Sequence, residues 1–74
     1  MINVCILLKT VPTKVESIVK EIRKMNVTRR CYITYGRFDV VAFLEVTSYG
    51  EVKEVSAEIN SLEGVRSTET LIEA

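Results

Sequence analysis

The stretch Thr34-Tyr35-Gly36-Arg37-Phe38-Asp39 lies in the middle of the chain, where two β-like runs meet. Residues 27–35 lead into it and residues 40–46 follow it, and both runs are rich in the β-branched and aromatic residues that strands favour. Gly36 can adopt the positive φ of a tight reversal, and Asp39 can accept hydrogen bonds from nearby backbone amides. The stretch therefore predicts a β-hairpin loop, called the hairpin loop below. Stabilisation of its own turn and binding of a ligand explain Asp39 equally well.

Four segments of the chain have the composition of strands. Residues 2–10 and 40–46 are apolar on both alternating faces, apart from Glu45 in the second run, which is typical of central strands. Residues 27–35 and 65–72 each have a mostly polar face, which is typical of edge strands.

A first helix is indicated between the first two strands. Pro12 interrupts the first strand, and Thr13 with Glu16 has the Thr-x-x-Glu spacing of a capping box. Asn26 is a candidate for the end of this helix. Apolar residues recur at helical spacing inside it, at Val15, Ile18, Val19, Ile22 and Met25.

A second helix is indicated before the last strand. Ser48 and Glu51 repeat the capping-box spacing, and Gly64 follows as a stop signal. Its apolar positions are Val52, Val55, Ile59 and Leu62.

The order strand, helix, strand, strand, helix, strand predicts an α+β, ferredoxin-like βαββαβ fold. Its antiparallel sheet has the strand order 4-1-3-2 and carries both helices on one face. The opposite face would expose Cys5, Leu7, Val41 and Phe43, or the residues of the neighbouring register, and a monomer should not leave such a patch uncovered. We therefore expect a two-fold dimer that packs sheet to sheet, a dimeric α+β barrel.

Composition restricts the classes of function. The 74 residues form one domain, 1–74, with 47% hydrophobic and 27% charged residues and a formal net charge of zero. This balance argues against direct binding of nucleic acid. Arg29, Arg30 and Arg37 form a local basic cluster, interpreted as a solvated edge or a subunit contact rather than a phosphate track.

Several kinds of chemistry are also disfavoured. The chain has no histidine, so we expect neither a metal site nor a cofactor, and no constellation of carboxylates, Lys or Tyr points to an enzyme. Cys5 and Cys31 are expected to be free, buried thiols. No basic leader precedes Ile2 and no apolar run is long enough to span a bilayer, so we expect a cytoplasmic protein.

The hairpin loop and the apolar run after it resemble the effector-binding domain of the Lrp/AsnC family, the regulation-of-amino-acid-metabolism (RAM) domain. That family has a Gly-x-aromatic-Asp loop, which Gly36 to Asp39 match. The resemblance extends along the chain to Pro12, the step at residues 62–65, and Thr68-x-Thr70. The chain resembles a stand-alone form, because Met1 directly precedes the first strand where many members have a helix-turn-helix domain.

The resemblance implies dimers that associate into rings, commonly octamers, with a small amino-acid effector held between dimers. Gly36 and neighbouring amides would receive the effector carboxylate, and Asp39 would pair with its ammonium group. Thr68 and Thr70 would line the pocket, and Arg37 would bias it toward certain side chains. The implied ligand-binding residues are thus Tyr35, Gly36, Arg37, Phe38, Asp39, Thr68 and Thr70. Full-length regulators of the family are further expected partners.

Two other functions fit the same fold. A small dimeric α+β barrel enzyme, of the kind that antibiotic-biosynthesis monooxygenases represent, lacks support because the exposed face has no His and no evident carboxylate pair. An amino-acid-binding ACT-like regulatory subunit usually has a glycine in the loop after the first strand, where this chain has Val11-Pro12-Thr13. The preferred hypothesis remains an amino-acid-sensing module that is not an enzyme.

Overall fold

A computed structural model describes all 74 residues, Met1–Ala74. Four strands and two helices alternate in the predicted βαββαβ order, with a short 3-10 turn before the first helix. The elements are β1 (Ile2–Thr10), the 3-10 turn (Pro12–Lys14), α1 (Val15–Arg23), β2 (Thr28–Ile33), β3 (Val40–Val46), α2 (Tyr49–Asn60) and β4 (Val65–Ile72).

The four strands form one antiparallel sheet in the order β2-β3-β1-β4. This is the predicted order, with the two apolar runs in the centre and the two half-polar runs at the edges. In the centre, Cys5 lies opposite Phe43 and Leu7 opposite Val41. Both central strands carry apolar side chains on the core face and on the opposite face.

One face of the sheet packs against both helices and forms the core. Residues at even positions of β1 and β3 point to this face, and the helices cover it with the predicted apolar stripes. The core consists of Val4, Ile6, Leu8, Ile18, Val19, Ile22, Cys31, Val40, Ala42, Leu44, Val46, Val52, Val55 and Ile59.

The other face of the sheet, called the open face below, has no layer of its own chain on it. Cys5, Leu7 and Val41 are half-buried there and Phe43 is 38% exposed. They belong to the first of the two registers predicted for this face. Tyr32 of β2 packs beside Phe43, with ring centroids 6.1 Å apart. The open face is therefore an apolar surface with an aromatic pair on it.

The capping box predicted at Thr13 is wrong. Thr13 lies inside the 3-10 turn, and α1 begins after Lys14, whose side chain makes no capping hydrogen bond. Pro12 sets the φ that starts this tighter turn, so the chain enters α1 through 3-10 geometry instead of through a side-chain cap. The helix also ends at Arg23, earlier than Asn26.

The second capping prediction is confirmed in its main contact. The Ser48 side chain accepts a hydrogen bond from the Glu51 N–H at 3.3 Å. The Glu51 carboxylate reaches one residue further back than the standard motif and accepts from the Thr47 N–H at 2.8 Å. α2 ends at Asn60, earlier than the predicted stop at Gly64, and Gly64, with φ +96°, is instead a turn residue before β4.

The edge strand β2 is shorter than predicted. It ends at Ile33, and its pairing with β3 is irregular between Thr28 and Arg30. Tyr35, the last residue of the predicted strand, is outside β2 and 99% exposed. The alternation of side chains continued in the sequence past the point where the backbone leaves the sheet.

Both thiols are free, as predicted, but only Cys31 is fully buried, while Cys5 lies half-buried on the open face. Burial raises the pKa of the Cys31 thiol to about 11, and nearby Arg23 acts in the opposite direction. Burial also raises the pKa of Cys5. No three His, Cys, Asp or Glu side chains are grouped to hold a metal ion. Neither helix has the length and apolarity to cross a membrane.

Candidate functional site

Hydrogen bonds hold the base of the hairpin loop at both ends. The Thr34 N–H donates to the Asp39 carbonyl at 2.8 Å, and the Thr34 hydroxyl donates to the Phe38 carbonyl at 2.8 Å. The Asp39 N–H in turn donates to the Leu8 carbonyl of β1 at 2.8 Å. The loop is therefore fastened to β1 as well as closed on itself.

The Asp39 carboxylate contacts the neighbouring strand and not its own turn. Its Oδ2 accepts a hydrogen bond from the Thr10 N–H at 2.9 Å, across 29 residues of sequence. Because the Leu8 carbonyl and the Thr10 N–H point to the same side of β1, the side chain continues the β1–β3 ladder where β3 no longer offers a carbonyl. The local-turn interpretation of Asp39 is wrong, since the contact is a long-range structural one. It uses one carboxylate oxygen and leaves Oδ1 without a partner in the chain.

The tip of the hairpin loop has unused hydrogen-bond donors. The N–H groups of residues 35–38 donate no hydrogen bond within the chain. Gly36 has φ +131°, the positive value that the sequence predicted, and no atom lies within 4 Å of the position a Cβ would take. A ligand can therefore approach this backbone closely.

Side chains at the tip differ in their exposure. Tyr35 and Arg37 are exposed, while Phe38 is half-buried beside Asp39. Neither Tyr35 nor Arg37 forms a hydrogen bond or an ion pair within the chain. The two largest side chains of the loop are thus free to contact another molecule.

Thr68 and Thr70 lie away from the hairpin loop. Thr68 is opposite Leu8 in β4, so β1 separates it from β3, and two inter-strand spacings amount to about 10 Å. Both hydroxyls face α2: Thr68 donates to Asn60 at 3.1 Å, and Thr70 lies 3.5 Å from the Ser56 hydroxyl. A single chain therefore brings Gly36 to Asp39 together but does not add the two threonines to them.

The largest cavities of the molecule are elsewhere. An open groove of about 650 Å³ lies between the end of α1 and α2, and one of about 610 Å³ lies between α1 and β2. A third, of about 330 Å³, lies on the open face beside Phe43 and Leu71. None of these three includes a residue of the hairpin loop or either threonine. In a single chain, the candidate site is therefore a surface loop that does not lie in a cavity.

Sequence reasoning missed Thr10 as the partner of Asp39. The contact uses the backbone N–H of Thr10, which every residue except proline has, so no residue type marks it in the sequence. Only the position of Thr10, two residues before the break at Pro12, could have suggested that the end of β1 needs an acceptor.

A model of the Lrp/AsnC ligand-binding domain matches residues 3–73. The chain belongs to this family. The match covers both central strands, the hairpin loop and the Thr68-x-Thr70 pair, which are the features that carried the resemblance in the sequence. A search of curated proteins found no match.

The fold of this Lrp/AsnC domain is similar to nearly whole chains in some solved structures and to parts of longer chains in others. TTHA0845 from Thermus thermophilus superposes with a TM-score of 0.96 at 29% identity, covering 100% of this chain and 94% of that one. AsnC from Escherichia coli gives 0.89 at 19% identity, and the matched region covers 97% of this chain and 50% of AsnC. The siroheme decarboxylase NirDL gives 0.89 at 14% identity over 100% of this chain and 25% of that chain.

The last two similarities are informative about fold alone, because their identities are below one quarter. The similar structures include one named as an AsnC family transcriptional regulator and one named as an enzyme, so the shared architecture does not distinguish the two classes. By family, this chain is an Lrp/AsnC ligand-binding domain, of the type found in transcription regulators.

Proposed function

We propose that this domain senses a small amino acid and oligomerises, with the effector bound between dimers at the hairpin loop. The observation that carries the proposal is the loop itself. In a chain of the Lrp/AsnC ligand-binding family, Asp39 is held at Thr10 by one carboxylate oxygen while the N–H groups of residues 35–38 remain free.

The chemistry of the loop suits a zwitterion. An α-amino acid needs hydrogen-bond donors for its carboxylate and an anionic acceptor for its ammonium group. The free N–H groups around Gly36 provide the donors, and Asp39 Oδ1 provides the acceptor. Because Oδ2 is already bonded to Thr10, the carboxylate is oriented before a ligand arrives, which reduces the entropy lost on binding.

A second copy has to complete the pocket. The hairpin loop is exposed, and a charge pair in solvent gives little affinity, whereas a subunit interface excludes water and strengthens both contacts. Thr68 and Thr70 contribute to this pocket only if another copy brings its β4 against the loop. The apolar open face supplies the first contact, a dimer, and further association of dimers encloses the loop.

The regulatory partners follow from the same surfaces. A domain that pairs through its open face can also pair with the equivalent domain of a full-length regulator, giving mixed assemblies whose stability depends on the effector. Co-expression of an affinity-tagged copy with a full-length family member, followed by purification and light scattering with and without effector, tests this part.

The first experiment on the binding function is a thermal-shift screen of the twenty amino acids with light scattering in parallel. A ligand of the native state raises the melting temperature in a saturable manner, and an effector at the dimer–dimer contact also changes the mass. No saturable shift with any of the twenty would contradict amino-acid sensing.

The second experiment assigns the site to Asp39. Isothermal calorimetry should show that Asp39→Asn binds the selected amino acid about 30-fold to several thousand-fold more weakly, because a desolvated charge pair contributes about 2–5 kcal/mol. Lys53→Gln, an exposed change on α2, is the control and should bind like the wild type. If Asp39→Asn binds equally well in an oligomer of unchanged size, Asp39 has only its structural role at Thr10.

A further inference from the structure

The outer edge of β2 is unpaired and lies among positive charges. The sheet order leaves β2 at one edge. The Thr34 N–H points inward to Asp39, and alternation therefore directs the N–H and C=O groups of Cys31 and Ile33 outward. An unpaired edge of this kind is a template for another extended chain.

Two adjoining grooves run along this edge, and together they are called the β2-edge groove. The one of about 610 Å³ lies toward α1, and the one of about 300 Å³ lies along the strand; Arg23 lines both. The lining residues are Glu16, Val19, Lys20, Arg23, Lys24 and Ile33 in the first, and Arg23, Thr28, Arg29, Arg30, Cys31 and Tyr32 in the second. Five cations and one carboxylate thus line the β2-edge groove, and Ile33 adds an apolar side chain that is 40% exposed.

The charge of the groove is part of an asymmetry in the whole chain. Residues 11–46 contain seven Lys or Arg and four Asp or Glu, whereas residues 47–74 contain two and six. Within the groove, Arg29 is paired with Glu45 and Lys24 with Glu21. Lys20 and Arg30 form no ion pair and remain available to a partner.

The Arg23 side chain covers part of the β2 edge. Its Nε donates to the Cys31 carbonyl at 2.8 Å, so the guanidinium occupies a position that the N–H of an added strand would need. A neutral strand would displace Arg23 without offering it a new partner, and the hydrogen bond gained would be offset by the one lost. A strand with a carboxylate can accept a charge-assisted hydrogen bond from the displaced guanidinium. It therefore gains this bond in addition to its pairing with the edge of β2.

We propose that the β2-edge groove binds an extended acidic segment of a partner protein, which adds to the sheet at β2, and that Arg23 restricts this binding to acidic strands. The occupant is a peptide with a carboxylate at every second position, because alternate side chains of a strand share one side and would face Lys20 and Arg23 together. This inference does not depend on amino-acid sensing. Val19 and Ile33 lie on the helix side of the sheet, and the groove meets the open face at Tyr32, which borders both.

Fluorescence anisotropy with a labelled octapeptide tests the proposal directly. The probe is Ser-Glu-Val-Glu-Val-Glu-Val-Ser at low ionic strength, and its matched controls have Gln or Lys in place of the three Glu. The Glu peptide should bind saturably, the Gln peptide about tenfold more weakly, and the Lys peptide not at all. Equal binding of the Glu and Gln peptides, or no saturation by the Glu peptide below about 1 mM, would overturn the proposal.

Variants of the protein test whether the peptide binds at the β2-edge groove. Lys20→Gln should weaken binding of the Glu peptide about fivefold to tenfold, whereas the matched exposed change Lys53→Gln on α2 should leave this affinity unchanged. Arg23→Gln should reduce the preference for the Glu peptide over the Gln peptide, because the variant no longer has a guanidinium to transfer and only Lys20 is left to face the carboxylates. If Lys53→Gln weakens binding as much as Lys20→Gln, the effect is one of overall charge and the groove is not the site.

Two further measurements separate strand addition from other occupants. Amide hydrogen exchange at Ile33 should slow when the Glu peptide binds, since its outward N–H gains an acceptor. Unchanged exchange at Ile33 would overturn strand addition. A single-stranded thymidine oligonucleotide that displaces the peptide and binds more tightly would assign the groove to nucleic acid instead.

Discussion

At the scale of single residues, the Asp39 side chain has a structural role that can be measured without any ligand. Asp39→Ala removes the only acceptor of the part-buried Thr10 N–H, and the free energy of unfolding should fall by about 1–3 kcal/mol. Asp39→Asn keeps an acceptor oxygen and should lose about 1 kcal/mol or less. Urea denaturation of the two variants checks the difference. Equal losses would mean that the charge, and not the acceptor, stabilises the end of β1.

Thr10 offers a second test in the same place. Its hydroxyl is buried and has no hydrogen-bond partner, and the residue is 4% exposed. Thr10→Val keeps the shape and removes the unsatisfied group, so the protein should gain about 1 kcal/mol. Thr34→Val is the matched control, because that hydroxyl donates to Phe38, and it should lose about 0.5–1.5 kcal/mol. Thermal unfolding of both proteins should therefore shift the melting temperature in opposite directions.

Residue types predicted local backbone features and missed long-range contacts. A glycine in a tight loop predicts a positive φ at Gly36, because glycine adopts it without strain, and the backbone there has φ +131°. The acceptor role of Asp39 toward Thr10 depends on which strand lies beside β3 and on how far β3 extends, and neither is written in the local sequence. The ligand role of the hairpin loop stays a prediction.

At the scale of elements, the two capping motifs are nearly identical in sequence and different in structure. Ser48 caps α2 with its side chain, so Ser48→Ala should cost about 1 kcal/mol. Thr13 makes no capping hydrogen bond, so Thr13→Ala should change the free energy of unfolding by less than about 0.5 kcal/mol. Chemical denaturation of both variants under one set of conditions provides the comparison. A loss at Thr13 that equals the loss at Ser48 would show that Thr13 caps the helix in solution.

Three of the four strands have the predicted bounds, and the exception is informative. β1, β3 and β4 are fixed by pairing along their whole length, so the alternating pattern and the paired backbone coincide. β2 is an edge strand that ends at Ile33, and beyond the Thr34–Asp39 hydrogen bond its continuation at Tyr35 has no partner. Pattern alone predicts where a strand can form, and the neighbouring strand decides where it ends.

At the scale of the whole molecule, the number of apolar faces predicted the strand order. Two runs that are apolar on both faces have to be central, and two that are half-polar have to be edges, which leaves β2-β3-β1-β4 once the connections are right-handed. The geometry of the candidate site could not be predicted in the same way. Its threonines lie on the far side of β1 from the hairpin loop, and a complete pocket requires a second copy, whose position no pattern within one chain specifies.

The open face makes a dimer the expected state of the protein in solution. Phe43 is 38% exposed at its centre, opposite Cys5 on β1 and beside Tyr32 on β2. Phe43→Lys places an ammonium group in that surface, and burying it without a partner costs several kcal/mol, so the dimer should dissociate or the protein aggregate.

Light scattering against the chain mass of 8.4 kDa measures this outcome directly. The matched control is Tyr49→Lys, which replaces another exposed aromatic residue at the start of α2, away from the open face, and should keep the mass of the wild type. A wild-type mass of one chain at micromolar concentration would show that the open face does not pair. If Phe43→Lys instead keeps both the mass and the melting temperature of a wild-type oligomer, the subunits associate through another surface, and the assembly proposed around the hairpin loop would have to be rebuilt from that contact.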